Sequence, residues 1–150
     1  PVSLIDIYPT ILDIVKVDTE YSNPKHAKSL ISTALKPDMK RAILSEFHDY
    51  GAQTGMFMLR KENWKLILYP GFQSQLFDLA VDPSEIDDLA DDERYADKIS
   101  ELKSEIYKIA DPEKINTIAF EDQEAMIQHL GGRKAILAHE NFDHTPVEKS

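Results

Sequence analysis

Cysteine is absent from the 150 residues, which excludes disulfides, thiolate nucleophiles and thiolate metal sites. No apolar run approaches the roughly 20 residues that a membrane-spanning helix needs. Positive charge is in short supply: 17 Lys and Arg stand against 27 Asp and Glu, a formal charge of −10. Nucleic acids and anionic membranes are bound through a basic face, so this balance argues against both as partners. It is equally unpromising for a complete enzyme acting on anionic substrates, unless a local basic pocket overrides the field. No signal peptide is visible, but the first residue is Pro1 rather than Met, so its absence leaves the compartment open.

What is present is enough for a real core: 42% of residues are hydrophobic, and the length suits one domain with an appended tail. Val2–Ile5 reads as a short strand. Pro9 suits the first turn of the helix that Ile11, Leu12 and Val15 continue. Residues 18–40 are polar and aperiodic, a linker with a short helix at Leu30–Leu35. Ala42–Phe47, Met56–Arg60, Trp64–Tyr69 and Gln75–Leu79 read as four strands with tight links at Lys61-Glu62-Asn63 and Pro70-Gly71. That spacing predicts an antiparallel meander.

Asp82-Pro83-Ser84-Glu85 has the form of a helix start, with Asp82 as cap and Pro83 at the first helical position. Tyr95, Ile99, Leu102, Ile106 and Ile109 form one apolar stripe on a helix of about four turns. Asp111-Pro112 repeats the cap-and-proline signal for a second helix, which stops near Leu130 at Gly131-Gly132. The residues beyond, with His139, His144 and Pro146, read as an arm. The predicted fold is α+β: a small four-stranded antiparallel sheet (42–110) packed by a C-terminal helix, followed by a helical extension and tail (111–150).

Few constellations carry chemistry. No Gly-x-Ser-x-Gly elbow occurs. Ser45 and His48 are three apart, which on a strand puts them on opposite faces. None of the five histidines, His26, His48, His129, His139 and His144, forms the i, i+4 pair of a helical zinc site. Asp87, Asp88, Asp91, Asp92 and Glu93 lack the alternation and central glycine of a calcium loop, and read as a solvated, helix-capping run. Gly131-Gly132-Arg133-Lys134 reads as a helix stop, not a phosphate cradle. No residue is assigned a catalytic or metal-binding role. The remaining candidate is His48-Asp49-Tyr50, where a strand enters a Gly-containing loop. These residues read either as a substrate-contacting lip or as an ordinary turn.

The order of these blocks resembles type I sulfatases of the alkaline-phosphatase superfamily. The carriers are Val2–Asp13 with its Asp6-Ile7-Tyr8-Pro9-Thr10 centre; Lys28-Ser29-Leu30; Met58-Leu59-Arg60 with Trp64-Lys65-Leu66-Ile67; and Leu76-Phe77-Asp78-Leu79 with Asp82-Pro83, Glu85 and Leu89. The tail resembles, less specifically, the extended tail of some bacterial members. Lys16 and Ala27 stand where the family usually has Gly, and Asp88 where Asn is common. The resemblance implies the C-terminal part of a sulfatase. Residues 1–17 would then be the last strand and helix of an N-terminal catalytic domain. The formylglycine nucleophile, made within a C/S-x-P-x-R motif that does not occur here, and the Ca²⁺ ligands would lie in that domain. The same resemblance implies that the isolated chain is inactive, with no cofactor of its own, and helps wall the cleft for a sulfate ester. It makes His48, Asp49 and Tyr50 tentative substrate-binding residues. Two further readings stand beside it: the corresponding part of a phosphonate or phosphodiester hydrolase, and a non-enzymatic module forming a homo-oligomer through residues 112–150.

Overall fold

The computed structural model describes residues 1–17, 26–48 and 52–138. The chain divides into two compact units, Pro1–Pro112 and Glu113–Ser150.

Unit 1 is built on one sheet of four strands: β1 (Ile43–Phe47), β2 (Met56–Lys61), β3 (Trp64–Leu68) and β4 (Gln75–Asp78). The order is β1-β2-β3-β4 and every neighbour is antiparallel, so the predicted meander is present. Lys61 pairs with Trp64, which leaves Glu62 and Asn63 as a two-residue loop. Glu62 there carries a positive φ of 53°. The β3–β4 link turns at Tyr69–Phe72, where the Phe72 amide donates to the Tyr69 carbonyl at 2.9 Å. Gly71, at φ 80°, supplies a conformation other residues adopt only at a cost.

Register decides the faces. Leu44, Leu59, Leu66 and Leu76 stand in one row across the sheet, with Phe57 and Leu68 in the next. Helix α3 (Ala96–Ile109) closes this face with Leu102 and Ile106. Phe57, Leu59, Leu66, Leu76 and Ile106 are each 0% exposed. Burying such side chains stabilises by roughly 1.5–3 kcal/mol apiece, so this layer dominates the energetics of the unit. At its edge Trp64 meets Tyr95, ring centroids 5.8 Å apart, and Lys98 lies 5.7 Å over the indole. Lys61 donates to Glu101 and bridges Glu105, each at 3.3 Å, tying β2 to α3.

Two local expectations are corrected here. Residues 2–5 form no strand. The Asp6 carboxylate accepts the Ser3 amide and the Asp6 amide donates back to the Ser3 carbonyl, winding Leu4–Asp6 into a 3-10 turn that leads into α1 (Ile7–Val15). Asp82-Pro83-Ser84-Glu85 starts no helix. The Asp82 carboxylate accepts the Ile86 and Asp87 amides in a turn, and Glu85 adopts φ 56°. The chain then runs beside β4, where the Leu89 amide donates to the Leu76 carbonyl and Asp88 accepts the Leu76 amide. Helical structure resumes only with a 3-10 turn at Glu93–Tyr95. The short helix α2 (Leu30–Leu35) lies where the sequence placed it, its N-terminus capped by Ser29.

Unit 2 contains most of α4 (Pro112–His129) and a further helix, α5 (Arg133–Ala138). Gly131 and Gly132, at φ 89° and 86°, end α4, and the Gly132 amide reaches back to the Ile127 carbonyl at 2.8 Å. The same glycines lead straight into α5, so Arg133 opens a helix where the sequence suggested an arm. His139, His144 and Pro146 lie outside the described residues. Among the described residues no helix is long and apolar enough to cross a membrane.

Candidate functional site

Strand β1 delivers His48 to the end of the sheet. Its register pairs Glu46 with Phe57 and Phe47 with Met56. Glu46 and His48 therefore share the face that α3 covers, and Ser45 points to the other, which rules out the Ser–His pair on geometry. The His48 imidazole stands edge-on to Phe57, centroids 5.3 Å apart at 78°. Its side chain is about one-fifth exposed (19%), and Nε2 lies 3.8 Å from Glu46 Oε2. That separation is too long for a hydrogen bond. Nε2 is buried with no hydrogen-bond partner among the described residues. Asp49 and Tyr50, the other two candidates, lie outside the described residues.

A second centre lies at the root of β1, where the sequence pattern assigned no role. Asp6 is fully buried and Arg41 nearly so, and they form a two-pronged ion pair. Nη1 donates to Oδ2 at 2.8 Å and Nη2 to Oδ1 at 2.7 Å. Arg41 Nη2 also donates to the His26 carbonyl at 2.8 Å. The Asp6 oxygens further accept the Lys28 amide at 2.9 Å and the Ser3 amide at 2.8 Å. The Arg41 hydrogen bonds hold the Asp6 carboxyl down to about 2, against the opposing cost of burial, with the two amides adding to the effect. One turn on, Thr10 Oγ1 accepts the Leu30 amide and donates to the Asp6 carbonyl. Asp6 and Thr10 on one edge of α1 thus hold the segment entering α2, and Arg41 ties both to β1. The only trace in the sequence is an Asp and a Thr four apart around Pro9, which names no partner.

The acidic run is consumed by local structure. Asp88 accepts the Ala90 amide as well as that of Leu76; Asp92 accepts the Arg94 amide and guanidinium; Asp91 accepts Gln73 Nε2. A shallow hollow of about 510 Å³ beside it is lined by Asp91, Asp92, Glu93, Ile99 and Lys103. Among the described residues no three His, Asp or Glu side chains converge on a point that would hold a metal ion.

With this geometry in place, comparisons identify relatives. A family model described as N-sulphoglucosamine sulphohydrolase, C-terminal, matches residues 2–113. Arylsulfatase K of Rattus norvegicus is 37% identical over 99 residues, covering 59% of this chain and 18% of its own length. The chain thus spans about a fifth of the length of the curated relatives it matches. The structure of BT4656 in complex with its substrate D-glucosamine-2-N,6-O-disulfate superposes with a TM-score of 0.58 at 24% identity, over 71% of this chain and 24% of that one. Phosphonate monoester hydrolase of Agrobacterium radiobacter gives 0.53 at 20% identity, over 69% and 23%. The two structural likenesses establish the fold.

Proposed function

We infer the function of this chain from its lineage: it belongs to the family of N-sulphoglucosamine sulphohydrolase C-terminal domains. On that premise it is the C-terminal subdomain of a sulfatase of the alkaline-phosphatase superfamily, and its parent polypeptide hydrolyses sulfate esters. The observation that carries this reading is the coincidence of the family match, residues 2–113, with the compact unit Pro1–Pro112. A bacterial source is part of the proposal and rests on the resemblance of the tail; the curated relatives are animal proteins.

The role proposed for the chain is to buttress the parent's catalytic domain. Ile7, Ile11 and Ile14 form a stripe on α1 and are 48%, 52% and 63% exposed. A helix face of this kind is covered in a stable protein, and the catalytic domain is the surface proposed to cover it. The calcium ion and formylglycine of the family are assigned to the rest of the parent. Among the described residues no cluster of ligands would hold the calcium ion, and the sequence carries no C/S-x-P-x-R motif from which a formylglycine is made.

His48 is proposed to contact the organic part of the substrate, with Asp49 and Tyr50 beside it. The support is its place at the end of β1, with a side chain 19% exposed and an Nε2 that has no hydrogen-bond partner among the described residues. In the parent enzyme His48→Ala should change the ratio of kcat/KM between a sulfated sugar and a small aryl sulfate by about tenfold or more, as expected when a hydrogen-bonding side chain sets specificity. An unchanged ratio would remove His48 from the substrate site.

The fold likeness to the phosphonate hydrolase supports a second reading, a phosphonate or phosphodiester hydrolase parent. Assay of the purified parent on an aryl sulfate and on a phosphonate monoester separates the two. The 150-residue chain alone should turn over neither. Oligomerisation through residues 112–150 is a separate proposal, tested by light-scattering mass with and without that segment.

A further inference from the structure

Apolar exposure in the sheet region is concentrated at one end. Among the described residues of 42–79, the large hydrophobic side chains that stand exposed are Phe47, at 49%, and Phe72, at 57%. Phe47 closes β1 immediately before His48, and Phe72 lies in the β3–β4 turn. β1 and β3 run in the same direction on either side of β2, so both finish at the same end of the sheet. His48 and the turn therefore stand two strand spacings apart, roughly 10 Å. That is the span of two adjoining sugar rings.

The turn is held from several sides. The Phe72 amide donates to the Tyr69 carbonyl across Pro70 and Gly71. The Tyr69 hydroxyl donates to Gln75 Oε1 at 2.9 Å, and the Thr54 hydroxyl donates to the Pro70 carbonyl at 2.8 Å. Gln73 Nε2 donates to the Asp91 carboxylate. Pro70 and Ser74 are buried. The backbone that carries Phe72 is thus anchored, while more than half of its side chain is left to solvent. An aromatic ring on a fixed turn loses little freedom when a ligand settles on it.

The chemistry around the ring selects its occupant. Gly71 and Gln73, on either side, are exposed and offer no continuation of an apolar surface, so Phe72 is not part of the broad apolar patch that a protein interface buries. A lone ring framed by polar groups suits a small ligand with a face of C–H bonds and an edge of hydroxyls, which describes a sugar. Its C–H groups are slightly positive and meet the negative face of the ring. Asp91, held against Gln73, makes the field beside the ring acidic, which opposes a sulfate at that position.

We propose that Phe72 is a stacking platform for an unsulfated sugar unit adjoining the sulfated one, so that the parent's substrate is an oligosaccharide rather than a single sulfated sugar. The role of Phe72 rests on the reading of the parent as a sulfatase with its substrate at the His48 end, and extends that site by one sugar.

The experiment uses the full-length parent with three substrates: a disaccharide sulfated on one ring alone, the corresponding sulfated monosaccharide, and an aryl sulfate. Phe72→Ala should raise KM and lower kcat/KM for the disaccharide by about five- to tenfold, the scale of an aromatic contact, and leave the other two unchanged. Phe72→Trp should keep the disaccharide rate and Phe72→Leu should lose it, because stacking needs a flat face and simple packing does not. The parent's Tm should not move in any of these variants. Equal effects on all three substrates, full rescue by Phe72→Leu, or a Tm that Phe72→Ala lowers by several degrees would overturn the proposal, the last by placing the ring against the parent's own surface. A wild-type parent that hydrolyses these sulfates with no dependence on Phe72 loses the platform alone. A wild-type parent that hydrolyses none of the three loses the sulfatase reading as well.

Discussion

Asp6 and Arg41 are separated by 35 residues and meet with almost no access to solvent. Removing one member strands the other, which typically costs about 3–5 kcal/mol. Asp6→Asn and Arg41→Met should each lower the stability of unit 1 by that order, measured by urea unfolding. The acid response has a fixed sign. The Asp6 carboxyl is near 2 when folded, against the usual 3.8. Its contribution is therefore complete above about pH 4 and is lost as pH falls through about 2, and Asp6→Asn should flatten stability across that window. Lys16 is a second single-residue case. It caps α1 in the left-handed region at φ 53°, a site where the family usually has glycine. Lys16→Gly should stabilise by roughly 0.5–1 kcal/mol, read as a rise in the urea midpoint, because glycine adopts that conformation without strain.

At the scale of elements, the four strands were legible because each has the period-2 pattern and a turn signal at its ends. Helix α3 was legible from a stripe whose members Leu102 and Ile106 are indeed the buried ones. Ile106→Ala should cost about 2–5 kcal/mol, seen as a lower urea midpoint at constant slope, since it opens a cavity in the buried layer between α3 and the sheet. The helix expected at Asp82-Pro83-Ser84-Glu85 failed for an identifiable reason. The same carboxylate that can cap a helix can also close a turn. Here the exposed edge of β4 takes the backbone of Leu89 and the side chain of Asp88 instead. Local signals of helix initiation do not register a competing sheet edge. The absent strand at residues 2–5 has the same origin, because Asp6 draws the chain into a turn around itself.

At the scale of the whole chain, unit 1 carries its own core and its single tryptophan. Trp64 packs on Tyr95 and Lys98, both within that unit. Deletion of residues 113–150 should therefore leave the near-UV circular dichroism of Trp64 unchanged; a lost signal would mean that the C-terminal residues help form the unit-1 core. Function shows the same division. Composition and motifs offered no thiol, Gly-x-Ser-x-Gly or helical zinc signature, and the family blocks pointed to the C-terminal part of a sulfatase, a family the match over residues 2–113 bears out. His48 was picked from its place at a strand end; that its Nε2 is buried without a partner among the described residues emerged only once register set it against Phe57.

Periodicity, turn residues and motif order, all local properties, thus determined the strands, the long helices and the family. Partnership did not follow from them. Asp6 with Arg41 and Lys65 with Glu85 are outcomes of how distant segments are brought together. A charge in a sequence has no preferred mate until burial removes the water that would otherwise satisfy it.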